Sequence, residues 1–123
     1  MRILIVDDEK LVRSALKRVF RKCNYEIAEA LDGLEALQKL ESDFFDLLIT
    51  DNDMPNKKGI ELIQDILEGK TAIKNPAHAI ILFSGKGRPE NLPPEIEFME
   101  KPWEDEKLRQ RVKEIEMQLE AQK

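Results

Sequence analysis

The chain has 123 residues, 41% of them apolar, and a formal net charge of −5. That length supports one domain with a real core, and the acidic balance gives no reason to expect direct nucleic-acid binding, which draws on a basic face. No apolar run reaches bilayer-spanning length and the chain opens on a strand pattern, so a cytoplasmic location without membrane contact is expected.

Residues 2–6 (RILIV) form a short apolar run that stops at Asp7-Asp8-Glu9. From Lys10 the period becomes helical, with Val12, Leu16, Val19 and Phe20 on one face. Lys10, Arg13, Lys17, Arg18, Arg21 and Lys22 are assigned to the opposite, solvated face, with no acid among residues 10–22. Cys23 reads as a small apolar residue of this helix; a lone cysteine cannot make an internal disulfide, in keeping with a reducing compartment. Asn24 closes the helix, and residues 25–30 are the second strand. Asp32-Gly33 is a turn, after which Leu34, Leu37 and Leu40 mark a second helix.

Residues 44–59 (FFDLLITDNDMPNKKG) organise the rest. The run Leu47-Leu48-Ile49 leads through Thr50 to a single acid, Asp51, and a polar loop follows as far as Gly59. An apolar run bounded by turn signals is a buried strand, and open α/β sheets place their chemistry at the carboxyl ends of such strands. Ile60, Leu62, Ile63, Ile66 and Leu67 make a third helix that Gly69 ends. Residues 70–76 read as a loop, and His78, just before the next strand, has no expected role. Residues 79–83 (AIILF) are the fourth strand, ending at Ser84, and residues 95–100 the fifth, ending at Lys101-Pro102. A last helix from Glu104 shows Leu108, Val112, Ile115 and Leu119 on one face, with Trp103 placed as a hydrophobic staple on Leu108. Alternating strands and helices imply a flavodoxin-like, doubly wound five-stranded parallel sheet, a single α/β domain over residues 1–123.

In that fold Asp7, Asp8, Asp51, Ser84 and Lys101 come to one edge. Three packed carboxylates raise the pKa of at least one unless a cation intervenes, and an all-oxygen set suits Mg²⁺. A lysine and a hydroxyl beside such a metal form a phosphate-sized pocket, with Asp51 as a nucleophile that would become an aspartyl phosphate. A phosphohydrolase with an Asp nucleophile needs a second acid and a substrate cap. Asp53 stands at the right offset, but 123 residues leave no room for a cap.

These pieces, VDDE (residues 6–9), DLLITDNDMP (46–55), Ser84 and EKPW (100–103), resemble the receiver domain of two-component response regulators over essentially the whole chain. The resemblance implies that Asp51 is the phosphoacceptor and that Asp8 binds Mg²⁺ (or Mn²⁺) directly. Asp7 would act mostly through water, and Asp53 through its backbone carbonyl. It implies that Ser84 and Lys101 engage the phosphoryl group, that Phe98 is the switching aromatic, and that Lys101-Pro102 is cis. Such a protein is a phosphoacceptor that assists its own transfer and hydrolysis rather than a turnover enzyme. Its partners would be a sensor histidine kinase or phosphotransfer protein and a downstream protein. The alternatives are a phosphate-independent interaction module of the same fold, or a receiver segment of a larger regulator or hybrid kinase.

One departure stands out. Only 17 positions separate Ser84 from Lys101, and Pro89, Pro93 and Pro94 fall among them. A proline inside a helix costs about 3 kcal/mol, so the helix that receivers carry there is expected to be one turn or absent. That face commonly mediates receiver dimerisation, so a monomer is expected. Asp53 and Lys86 flank the phosphoryl site at positions that influence attack by water. The basic row of the first helix is a candidate docking face. The charged fraction of 37%, rich in Glu and Lys, hints at a thermophilic source.

Overall fold

A computed structural model describes residues 1–69 and 80–122. Five parallel strands, β1 (Arg2–Val6), β2 (Glu26–Ala30), β3 (Leu47–Asp51), β4 (Ile80–Ser84) and β5 (Glu97–Glu100), form one sheet in the order β2-β1-β3-β4-β5. Among the described residues, four helices connect or flank them: α1 (Lys10–Val19), α2 (Gly33–Ser42), α3 (Gly59–Leu67) and α4 (Asp105–Ala121). This is the flavodoxin-like order. The chain leaves β1 in one direction for β2 and returns on the other side to β3, so a crevice opens at the carboxyl ends of β1 and β3.

The inner strands β1, β3 and β4 are apolar in both phases because both faces are covered, whereas the edge strands β2 (EIAEA) and β5 (EFME) carry glutamates. Leu4, Leu48, Ile80 and Leu82 point toward a core layer shared with α2 and α3. Ile3, Ile5, Leu47, Ile49, Ile81 and Phe83 meet α1 and α4 through Leu16, Val19, Leu108, Val112, Ile115 and Leu119. The last four are the stripe expected of the final helix. Trp103, at the position before the Glu104 cap, tilts against Phe83 at 5.4 Å between ring centroids and donates its indole N–H to Asp105 at 2.9 Å.

The expected loss of the helix between β4 and β5 is realised. Residues 85–96 hold only turns, with Leu92 N–H donating to the Pro89 carbonyl at 3.2 Å and Ile96 N–H to the Pro93 carbonyl at 3.1 Å. Leu92 and Ile96 are buried and fill the core layer where a helix would have packed. The Arg88 guanidinium donates to the carbonyls of Pro93 (2.7 Å), Ile96 (3.3 Å) and, more weakly, Leu92 (3.5 Å).

Several local expectations are corrected. The first helix ends at Val19, not near Asn24. Cys23 lies beyond it in a turn, its N–H bonded to the Phe20 carbonyl, and packs half-buried on the α1/α4 layer. In α2 the inward residues are Gly33, Ala36 and Leu40, whereas Leu34 is 50% exposed. Gly33 is required because a Cβ there would lie 2.6 Å from the Lys57 carbonyl oxygen, where the loop after β3 crosses the helix start. Asp32 is the N-cap of α2, accepting from Glu35 N–H at 2.9 Å. Leu67 is exposed, β2 begins at Glu26, and β5 begins at Glu97. The expected loop at residues 70–76, His78 and the first residue of the expected fourth strand lie outside the described residues.

The basic row of α1 is also revised. Arg13 is buried, with its Nε on Glu29 at 3.0 Å and its Nη1 on the Asp7 carbonyl at 2.7 Å; Lys17 joins the same Glu29 at 2.9 Å. Two of the six cations are therefore structural. Together they hold the Glu29 carboxyl below its ordinary range.

Candidate functional site

Four strand ends supply the site. β1 delivers Asp7 and Asp8, β3 ends on Asp51, β4 ends on Ser84, and the residue after β5 is Lys101. Asp51 is 5% exposed and Asp7 2%, whereas Asp8 is exposed. One oxygen from each of these three carboxylates can be chosen so that all lie within 4.8 Å of one another. Lys101 Nζ stands 3.1 Å from Asp7 Oδ2 and 3.1 Å from Asp51 Oδ1, closing the group as its cation.

Electrostatics follow from that geometry. Burial pushes the Asp51 carboxyl above its ordinary value, against the opposing pull of Lys101; Asp7 and Asp53 add to the upward push. Burial alone would lower the Lys101 ammonium, but its bonds to Asp51 and Asp7 outweigh this and hold it above its ordinary value. Three carboxylates and one ammonium leave two negative charges uncompensated at the crevice when all are ionised. A small divalent cation with a preference for oxygen donors matches both the ligand type and that residual charge.

The backbone around the acids is fixed from several sides. Asp7 N–H donates to the Ala30 carbonyl at 3.2 Å, Asp7 Oδ1 accepts from Glu9 N–H at 2.9 Å, and Arg13 holds the Asp7 carbonyl. After Asp51 the chain turns sharply. Asn52 N–H donates to the Phe83 carbonyl at 2.9 Å, and the Asn52 side chain accepts from Ile60 N–H at 2.9 Å. Gly59 packs so close that a Cβ would sit 2.4 Å from the Asp51 carbonyl oxygen, so no other residue fits without moving β3's end. Asn56, with φ of 66°, reaches across to Asp32 at 2.8 Å and ties this loop to α2.

Ser84 is 1% exposed. Its hydroxyl accepts from Lys86 N–H at 3.1 Å and makes a long contact of 3.4 Å to Asp53 Oδ2. Asp53 thus turns its carboxylate toward Ser84 and Lys86 (Nζ at 3.9 Å) rather than into the acidic cluster. Phe98 is half-buried in the α2/α3 layer, on the same side of the sheet as Leu92 and Ile96. Its strand neighbour is Leu82. The Lys101-Pro102 peptide is cis, as expected.

Of the residues anticipated from sequence, Asp7, Asp8, Asp51 and Lys101 converge tightly, and Ser84 and Asp53 pair beside them. Arg13, Asn52 and Gly59 were missed as supports of the site. Arg13 was detectable: it falls at i, i+3 and i+7 with Leu16 and Phe20, on the buried face.

Known proteins share this chain's sequence pattern and fold. The chain is 42% identical over 71 residues to the sensor protein EvgS of Escherichia coli (strain K12), covering 58% of this chain and 6% of EvgS. It is 43% identical over 67 residues to the chemotaxis protein CheY of Pseudomonas aeruginosa, covering 54% of each. The matched stretch thus spans 6% of EvgS and about half of CheY. Among solved structures, the receiver domain of the hybrid histidine kinase CckA superposes with a TM-score of 0.75 at 35% identity, covering 94% of this chain and 98% of that one. The response regulator TrrA of Thermotoga maritima, solved in complex with Mg²⁺-BeF, gives 0.79 at 34% identity, covering 93% and 97%. No helix among the described residues is long and apolar enough to cross a membrane. The model of the response regulator receiver domain matches residues 3–113, and the chain belongs to that family of two-component signal-transduction domains.

Proposed function

We propose that Asp51 accepts a phosphoryl group from the phosphohistidine of a sensor histidine kinase or phosphotransfer protein, and that the modified surface then binds a downstream partner differently. The observation that carries this reading is a nearly buried carboxylate 3.1 Å from a lysine, beside two more carboxylates at a strand-end crevice. Residues 1–123 act as one receiver unit in it, alone or as a segment of a larger regulator or hybrid kinase.

An Asp51 carboxylate oxygen forms the new O–P bond as the P–N bond to the donor imidazole breaks. The bonding electron pair leaves with the nitrogen, which takes up a proton. Asp7, Asp8, Asp51 and the backbone carbonyl of Asp53 would hold Mg²⁺ (or Mn²⁺), which supplies positive charge against the phosphoryl oxygens. Lys101 exchanges its carboxylate contact for a charge-assisted bond to one of those oxygens. Ser84 offers its hydroxyl to another. Its present contact with Asp53 is long at 3.4 Å and easily replaced. Phe98 then turns into the space that Ser84 leaves, and Asp53 with Lys86 governs how water reaches the phosphoryl group. The chemistry is self-directed, so the domain is a switch with one acceptor rather than a turnover enzyme.

Since Phe98 lies under residues 85–96 rather than under a helix, the modified protein is expected to remain monomeric. Acetyl phosphate with Mg²⁺ should label the wild type and leave Asp51→Asn unlabelled, while Lys101→Ala should fold yet accumulate less label. Light scattering with and without beryllofluoride should give one monomeric mass. Equal labelling of Asp51→Asn contradicts the acceptor assignment, and a wild type that never labels favours a phosphate-independent docking module. A tight dimer formed through residues 85–96 contradicts the monomer.

A further inference from the structure

The end of α1 farthest from the acidic crevice faces α4 across a groove of about 520 Å³. Arg18, Arg21 and Lys22 line one side, and Arg109 and Lys113 line the other, with Glu106 as the one acid. In a chain of net charge −5 this groove carries five cations against one anion. Val19 and Cys23 give it an apolar floor. It continues into a second hollow of about 340 Å³ that shares Lys22, Cys23 and Lys113.

Four of those five cations are available. The carbonyls at the end of α1, which commonly draw basic side chains, are already occupied. Phe20 N–H donates to Lys17, Arg21 N–H to Arg18, and Cys23 N–H to Phe20, while Arg109 Nε takes the Val19 carbonyl at 3.0 Å. Arg109 also pairs with Glu106. The exposed side chains of Arg18, Arg21, Lys22 and Lys113 have no ion-pair or hydrogen-bond partner among the described residues. This contrasts with Arg13 and Lys17, one or two turns earlier, which Glu29 occupies.

We infer that the groove between the C-terminal end of α1 and α4 is a docking site for an acidic peptide segment of a partner protein. Guanidinium forks and ammonium groups across a groove suit discrete carboxylates, and the apolar floor suits an intervening aliphatic side chain. A nucleic-acid strand is disfavoured, because the chain as a whole is acidic and Glu106 and Glu116 line the groove and its extension. The site lies about 14 Å along α1 from Lys10, so an acidic segment is held there without touching Asp51. The inference goes beyond the phosphoacceptor reading and stands on separate residues.

The test measures anisotropy of a fluorescein-labelled peptide of Glu-Glu-Leu repeats on the full chain. A Lys-Lys-Leu peptide and a labelled oligothymidylate serve as the other arms. The acidic peptide should bind, and its affinity should fall at least about tenfold between low and high salt and about tenfold in Arg21→Glu/Lys22→Glu. The distant reversal Lys39→Glu/Lys58→Glu, on the α2/α3 face, should change it little, and Asp51→Asn should leave it intact. Amide shifts on titration should cluster at residues 18–23 and 106–113. Equal losses in the two reversal variants, shifts centred elsewhere, or tighter binding of the oligonucleotide would overturn the inference. Labelling of Arg21→Glu/Lys22→Glu by acetyl phosphate reports separately on Asp51.

Discussion

On the face that carries α1 and α4, Leu108, Val112, Ile115 and Leu119 lie at helical spacing on a 17-residue helix and seal the sheet. On the other face α2 and α3 cover the sheet only as far as β4, and beyond them the cover is a loop that drops Leu92 and Ile96 into the core. A helix satisfies its own backbone, so its only task is to present an apolar stripe. A loop must satisfy its carbonyls by other means, and here one arginine reaches three of them. The lesson concerns signalling as well as packing. A helix responds to a shift beneath it as a body, whereas residues 85–96 can respond only through two buried side chains and the Arg88 brace.

The strongest way to break this comparison is to empty equivalent core positions on the two faces. Ile115→Ala should cost about 2–5 kcal/mol, and Ile96→Ala should fall toward the lower end of that range because a loop collapses more readily than a helix. Urea midpoints would check both. An Ile96→Ala loss below about 1 kcal/mol would mean that the loop merely covers the sheet. The brace comes next. Arg88→Ala should cost about 1–2 kcal/mol, and Arg88→Lys should recover little, since one ammonium cannot span three carbonyls.

A smaller effect is expected at the crevice where the two faces meet. Asp8→Asn should raise the thermal midpoint of the metal-free protein by relieving like-charge repulsion, by no more than about 1 kcal/mol for so exposed a carboxylate. The same variant should lose most of the stabilisation that added Mg²⁺ gives the wild type. A metal-free Asp8→Asn protein less stable than wild type contradicts the shared-site picture. The smallest effect belongs to Glu29. Its carboxyl is held below the ordinary 4.5 by Lys17 and Arg13, so its contribution is complete above that pH and fades as pH falls through the depressed value. Glu29→Gln should flatten the acid limb of the stability curve by less than about 1 kcal/mol and leave the neutral limb's slope unchanged.

Much of this was legible in the residues. Asp7, Asp8 and Asp51 each follow a short apolar run and Lys101 closes the mixed strand pattern of residues 95–100, and a parallel sheet brings such ends together whatever the intervening packing. The prolines at 89, 93 and 94 announced the missing helix. What replaced it was not legible, because Leu92 and Ile96, four apart with Pro93 and Pro94 between them, define neither a helix nor a strand, and Arg88 is one cation among many until the carbonyls it meets are located. The α2 face was misread for a related reason. Leu34 has the stronger hydropathy, but only a glycine fits at position 33, where the Lys57 backbone crosses the helix start, and that close approach turns Gly33, Ala36 and Leu40 inward. Arg13 was masked by counting charge before spacing.

The most direct measurement on the phosphoacceptor itself is chemical trapping. Protein treated with acetyl phosphate and Mg²⁺ is reduced with borohydride, which converts an aspartyl phosphate to homoserine, and the peptides are mapped by mass spectrometry. Homoserine at position 51 alone, abolished by omission of Mg²⁺ and by Asp51→Asn, is the expected result. Homoserine at position 7, 8 or 53 with Asp51 unmodified would contradict it.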